Sequence, residues 1–229
     1  ADLDLFNGAT SKTLVPFAIT DNRDGRAVYM SRPGLPTQID LSETLYVGHD
    51  RDEEVLGIFG FRDSTFSISR DRIYRWLDDS TEEPSFTTRI VTVAEEGTYG
   101  FDSWCVTPFG LVFFNEFGVR LFTGGDVVPL GGSSVFAEFP ARYYTDAAAP
   151  TWLGASHVFY DSDNHLLHLT IISTDQTFPD RSLVFDPETG VWRGWWRRRA
   201  YSSGSMLTKS RNQRFVFGDD LGNLYYDQQ

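Results

Sequence analysis

The stretch Ser64–Leu77, STFSISRDRIYRWL, decides how this chain is read: an apolar strand, a tight polar turn, then a strand rich in aromatics. Phe66 and Ile68 alternate with small polar neighbours, Arg70-Asp71 breaks the run, and Tyr74 and Trp76 resume it. A period of two interrupted by a polar turn is the signature of an antiparallel hairpin. Three further stretches repeat the phrase: LVFFNEFGVRLFTGG (Leu111–Gly125), SLVFDPETGVWRGW (Ser182–Trp195) and RFVFGDDLGNLYYD (Arg214–Asp227). Repeated hairpins predict blades. The expected fold is all-β and antiparallel, a degenerate β-propeller-like array of about four or five blades. It is expected as one domain over residues 1–229, with an irregular N-terminal segment over 1–25. The array is degenerate because its turn centres lie roughly 46, 71 and 32 residues apart, against ~40–45 in a WD-type repeat.

Other strands are expected over Arg26–Ser31 (ending at Pro33-Gly34), Val55–Phe61, Phe86–Val93, Gly97–Val106, Leu153–Asp161 and His165–Ser173. Ser133–Tyr144 has the start signal of a short helix, and Ala147–Pro150 reads as a connector. The 229 residues include 19 Phe, 10 Tyr and 6 Trp, an aromatic load that suits strands and argues against disorder.

The net charge of −12 and pI of about 4.7 exclude a binder that grips nucleic acid by neutralising phosphates. They are compatible with a surface that DNA passes without adhering. Cys105 is the only cysteine, so neither an intrachain disulfide nor a cysteine-based metal site forms, and it reads as a small buried residue. No apolar run approaches the ~20 residues of a membrane-spanning helix. The start, Ala-Asp-Leu-Asp, has neither Met nor a signal-type apolar region, as expected of a processed chain or a piece of a longer one. Only Lys12 and Lys209 are lysines; the other basic residues are arginines, which favour multidentate contacts at interfaces.

Motifs with chemical content are few. Asp161-Ser162-Asp163-Asn164-His165 places oxygen ligands at alternate positions, as calcium loops do, but lacks the Gly and Glu that complete one. A hairpin turn with Asp163-Asn164 at its tip is the expected reading. His165 and His168 lie an odd number of positions apart on one predicted strand, which places them on opposite faces and argues against a zinc site shared with His157. Glu53-Glu54, Asp78-Asp79, Glu82-Glu83 and Glu95-Glu96 fall between strands, where acidic pairs are expected to be solvated. There is no GxSxG, P-loop, GxGxxG after a strand or HExxH. The expectation is a non-enzyme without catalytic, metal or cofactor residues. The sharpest local feature is Trp192-Arg193-Gly194-Trp195-Trp196-Arg197-Arg198-Arg199. Trp192 and either Trp195 or Trp196 are expected in a blade core. Trp195, Trp196, Arg197, Arg198 and Arg199 form the candidate interface, with the arginines at a subunit contact.

A family resemblance is carried by Val28-Tyr29-Met30-Ser31-Arg32-Pro33-Gly34-Leu35-Pro36, by Gly57-Ile58-Phe59-Gly60-Phe61-Arg62-Asp63 and by Ile73-Tyr74-Arg75-Trp76. It continues through Gly118-Val119-Arg120-Leu121-Phe122, Leu183-Val184-Phe185-Asp186, Gly190-Val191-Trp192 and Phe217-Gly218-Asp219, and closes with Gly222-Asn223-Leu224-Tyr225. In this order the phrases resemble the β-propeller virion proteins of tailed bacteriophages, especially the tail-nozzle (tail tubular protein B) and packaged-DNA-stabilisation groups. The resemblance implies a structural tail or head-to-tail connector component forming a ring, commonly six-fold, of copies of itself around the DNA exit channel. Its implied partners are portal, adaptor or other tail proteins and DNA that passes without specific binding. The implied location is the virion, after assembly in the host cytoplasm, and no cofactor is implied. The alternative is a propeller module that binds a host-surface glycan or receptor through surface Trp and Tyr. A carboxylate glycosidase stands third.

Overall fold

The computed structural model describes residues 16–17, 25–32, 35–48, 53–78, 88–131, 154–172, 179–197, 202–207, 213–219 and 221–226. The chain divides into two compact units, residues 1–97 and 98–229. Among the described residues, each strand pairs antiparallel with a neighbour in sequence, giving five meanders in chain order. This is the strand plan of propeller blades, and the chain is an all-β, propeller-like array.

In the first unit, β1 (Pro16–Phe17), β2 (Ala27–Arg32) and β3 (Leu35–Tyr46) make a three-stranded sheet. β4 (Val55–Phe61), β5 (Ser64–Ser69), β6 (Ile73–Asp78) and β7 (Thr88–Ala94) make a four-stranded one. Ile58, Tyr74, Trp76 and Ile90 line one face of the second sheet and close with Val28, Leu45, Val47 and Val55 into a core. Phe59 and Phe66, a cross-strand pair on the other face, stack at 5.4 Å.

One expectation changes here: Pro16–Phe17, inside the segment predicted irregular, form a strand against Met30 and Tyr29. The strand predicted to stop at Pro33-Gly34 does end there, at Arg32, and the chain returns as the 12-residue β3, a strand outside those expected. Arg32 faces Leu35 and Ser31 faces Ile39, so residues 36–38 bulge out of the ladder. The bulge accommodates Pro36, which has no N–H to pair.

In the second unit, β8 (Trp104–Thr107), β9 (Gly110–Asn115), β10 (Gly118–Phe122) and β11 (Val127–Pro129) form one sheet. β12 (His157–Asp161), β13 (Leu166–Ile171), β14 (Arg181–Asp186) and β15 (Val191–Arg197) form the next. β16 (Ser202–Leu207), β17 (Gln213–Gly218) and β18 (Leu224–Tyr226) form a third. Val112, Phe114 and Val119 pack against Val158, Leu167, Leu169, Leu183 and Phe185 between the first two of these sheets. Each such side chain contributes about 1.5–3 kcal/mol by leaving water.

β8 and β12 run side by side in the same direction. At their starts, the Val158 N–H donates to the Asp102 carbonyl at 2.7 Å; at their ends, Phe109 meets the Tyr160 ring edge-on. β8 is shorter than the predicted Gly97–Val106. Residues 100–103 turn instead, with the Gly100 N–H donating to Ser103 Oγ at 2.9 Å and the Phe114 N–H to the Ser103 carbonyl at 2.9 Å. The predicted helix over 133–144 and the connector over 147–150 lie outside the described residues.

Candidate functional site

Aspartates build the turns at one end of the β12–β15 sheet. Asp161 Oδ1 accepts the N–H groups of Asp163 (2.9 Å) and Asn164 (3.2 Å), and its Oδ2 accepts Asn164 Nδ2 (2.8 Å). Asp186 Oδ1 accepts from Glu188 N (2.9 Å) and Thr189 N (3.3 Å), while its Oδ2 takes Arg193 Nη2 at 2.6 Å. A short carboxylate that binds backbone two and three residues on stabilises the turn itself. His165 (φ 55°) and Gly190 (φ 69°) occupy the left-handed position that follows in each turn. Asp161–His165 is thus a hairpin turn, as expected, with both Asp161 oxygens engaged in it. The Arg193 hydrogen bond, more than any other contact, holds the Asp186 carboxyl down to about 2.

Because β8 and β12 are aligned, the β8–β9, β10–β11, β12–β13 and β14–β15 turns come to the same end of the two sheets. There Phe109 and Tyr160 form a T-shaped pair, centroids 6.1 Å apart and planes at 83°. Tyr160 Oη and His165 Nδ1 are 3.2 Å apart. Burial raises the Tyr160 phenol above its usual range, and the carboxylates of Glu188 and Asp161 push it the same way. His165, Asp163 and Glu188 are exposed; Phe109 and Tyr160 are half-buried, their apolar bodies against the core. Two aromatic rings, an imidazole and exposed carboxylates therefore converge at one blade end. They can hold a ligand by ring contact and hydrogen bonds. Sequence reasoning missed this site because its residues sit in three separate turns. The only local signals were the Pro108-Phe109-Gly110 turn and a Tyr ending an apolar strand.

The Trp-Arg segment forms β15, the edge strand of its sheet. Trp192 and Trp195 both pack on the core, although residues three apart on a regular strand face opposite ways. A bulge reconciles the two. Phe185 faces Trp192 and Val184 faces Gly194, so Arg193 is the extra residue, and Gly194 adopts φ 104°. Trp195 is thus a core residue, and Trp196 is opposite Ser182 in register. Arg197 stands directly opposite Arg181. Arg198 and Arg199 lie outside the described residues, as do His49, Asp79, Glu82 and Glu83.

Two expectations about titratable residues need correction. His165 lies in the turn and not on the strand with His168; it is exposed and His168 is buried. His157 and His168 share the opposite face of the sheet from Tyr160, each ring against Phe159 at 5.2 and 4.7 Å. The second correction is Glu53, expected to be solvated. It is only 6% exposed and sits in a network with Ser69, Arg72 and Tyr74.

Burial lowers the His157 pKa below the ordinary 6.5, against an opposing pull from Asp102. The unfolded chain therefore takes up this proton more readily than the folded one. The His157 contribution is fully present above pH 6.5 and declines as the pH falls below it. Melting temperatures measured from pH 7.5 to 5 are expected to fall, and His157→Gln is expected to flatten that fall. Asp186 and Asp219, both held at about 2, act in a separate window below 3.8.

No protein-family model matches this chain, and no curated protein matches it. Among solved structures it is similar to Hsv2 of Kluyvelomyces marxianus, at 13% identity and a TM-score of 0.42, over 88% of this chain and 59% of that one. It is similar to the β-propeller domain of Cps50 (Swd1) of Myceliophteria thermophila, at 12% identity and 0.41, over 96% and 73%. It is also similar to the dihydro-heme d1 dehydrogenase NirN, in complex with DHE, at 12% identity and 0.37, over 91% and 53%. Identities and scores this low carry no function across.

Proposed function

We propose that this chain is a non-catalytic binding module, built on propeller-type blades, that recognises a host-surface glycan or receptor through a blade end. The observation that carries this reading is the group formed by the half-buried rings of Phe109 and Tyr160 with the exposed His165 and Glu188. Elsewhere in the same sheet the turn carboxylates Asp161 and Asp186 serve the fold, whereas Glu188 and Asp163 face solvent at the rim. An array of immobilised glycans and peptides tests the reading. Saturable binding to one ligand class is expected, and Tyr160→Ala should weaken it at least tenfold, about 1.4 kcal/mol, in protein that circular dichroism shows to be still folded at the temperature of the assay. Array binding that is indifferent to Tyr160→Ala would sink it.

A second reading, a ring-forming component of a phage tail or head-to-tail connector, is favoured by one observation. Arg181 and Arg197 are directly opposed at the edge of their sheet, and opposed like charges are unfavourable without outside compensation. Asp180 reaches Arg181 only at 3.9 Å. Acidic loops of a neighbouring copy would supply that compensation to Arg197, Arg198 and Arg199. In this reading Arg197→Glu with Arg199→Glu disperses the oligomer in size-exclusion chromatography and leaves the monomer's melting temperature nearly intact. Native assembly of the doubly reversed protein at ordinary salt would contradict it.

A further inference from the structure

We propose that the blade-end site of Phe109, Tyr160, His165 and Glu188 takes an uncharged, hydroxyl-rich sugar and rejects acidic ones. The inference rests on the binding-module reading and adds the ligand's chemistry to it.

Three features of the site select that class. Phe109 and Tyr160 are half-buried with their rings in two planes, and the part of a ring left to solvent can take the apolar face of a pyranose while the sugar's rim meets the polar groups beside it. Glu188 and Asp163 are exposed carboxylates, and a carboxylate accepts from two neighbouring hydroxyls at once. His165, hydrogen-bonded to Tyr160, and the exposed Ser162 add groups able to donate. A sugar hydroxyl both donates and accepts, and this rim offers it both. A purely cationic ligand would use the carboxylates and leave the donors without a role.

The rejection of acidic ligands follows from charge. The four turns at this end are residues 108–109, 123–126, 162–165 and 187–190, and they contain Asp126, Asp163 and Glu188 but no Lys or Arg. Arg193, at the foot of the β14–β15 turn, is bonded to Asp186 at 2.6 Å. A sialic acid or phosphorylated sugar would bring its anion against these carboxylates, where the four turns offer it no Lys or Arg and only the His165 imidazole.

The test is a titration of the 229-residue chain, followed by NMR, with methyl galactoside, methyl mannoside, N-acetylglucosamine, N-acetylneuraminic acid and tetramethylammonium chloride. Saturable binding of at least one neutral sugar is expected, and at least tenfold weaker binding of N-acetylneuraminic acid. Tyr160→Ala and Glu188→Gln should each reduce the neutral-sugar affinity at least tenfold, whereas Phe117→Ala, at an exposed turn of another hairpin, should not. Tyr160-dependent binding of N-acetylneuraminic acid or tetramethylammonium would overturn the ligand class while leaving the blade-end reading in place. Sugar binding unchanged in both Tyr160→Ala and Glu188→Gln would overturn the class assignment and the blade-end reading together. Absence of binding by every probe would overturn the neutral-sugar assignment, the blade-end reading then standing on the array result.

Discussion

Glu53→Ala is expected to destabilise the chain by about 3 kcal/mol, roughly 6–12 °C in melting temperature, measured by calorimetry or denaturant unfolding. Glu53 Oε1 accepts the Ser69 hydroxyl at 2.7 Å and the Tyr74 phenol, and Oε2 accepts Arg72 Nη1 at 3.3 Å. Arg72 also reaches the exposed Glu95 at 2.9 Å, so its charge keeps a partner when Glu53 is removed. The loss therefore comes mainly from the two hydroxyls and from the cavity. Ser69 and Tyr74 are buried, and each deprived donor costs about 1–3 kcal/mol unless it finds another acceptor. Ser69 has one at hand in the Arg72 carbonyl at 3.1 Å, which is why the total stays in the lower half of the ~2–6 kcal/mol that two deprived donors would cost. Burial, and then the hydrogen bond to Glu53, keep the Tyr74 phenol protonated well above its usual range, so it remains a donor. Glu53→Gln retains one acceptor oxygen and should cost about half as much. A shift under ~0.5 kcal/mol for Glu53→Ala would mean that the network contributes nothing net.

Gly100→Ala is expected to be the more damaging of the two glycine-to-alanine changes that separate the β8–β11 and β12–β15 sheets from their close approach. A Cβ at Gly100 would stand 2.2 Å from the Gly154 carbonyl oxygen and 2.7 Å from its Cα. Both are backbone atoms and cannot rotate away. A Cβ at Gly154 would meet the Tyr99 carbonyl oxygen at 3.0 Å, which a small shift relieves. Overpacking of this kind costs about 1–3 kcal/mol, and Gly100→Ala belongs at the upper end because the strand starts of β8 and β12 are tied by the Val158–Asp102 hydrogen bond. Equal melting temperatures for Gly100→Ala and Gly154→Ala would show that the two segments give way more easily than their spacing implies.

The hairpins were legible from sequence because alternation in a half-buried antiparallel strand is written residue by residue. Their positions within the sheets were not. Three of the repeated phrases are second hairpins of their sheets (β5–β6, β9–β10, β17–β18), whereas Ser182–Trp195 is β14–β15, the third. Part of the uneven spacing of the repeats follows from that. β16, with the sequence SSGSML, has almost no apolar signal, and its strand form comes from pairing with β17. Partner-dependent structure of this kind is invisible in a local window. The Trp192–Trp195 face was hidden by the bulge at Arg193, which changes the parity on which the strand argument depends. The Phe109–Tyr160 site was hidden for another reason: it requires two sheets to be aligned, and no single turn states that alignment.

The measurement that bears most directly on the blade-end claim is hydrogen exchange of the protein with and without the ligand returned by the array. The account predicts slowed exchange in the β8–β9, β12–β13 and β14–β15 turns, around Phe109, Asp163 and Glu188, with little change in the β5–β6 hairpin of the first unit. Protection confined to the β15 edge around Arg197, with those three turns unaltered, would contradict it.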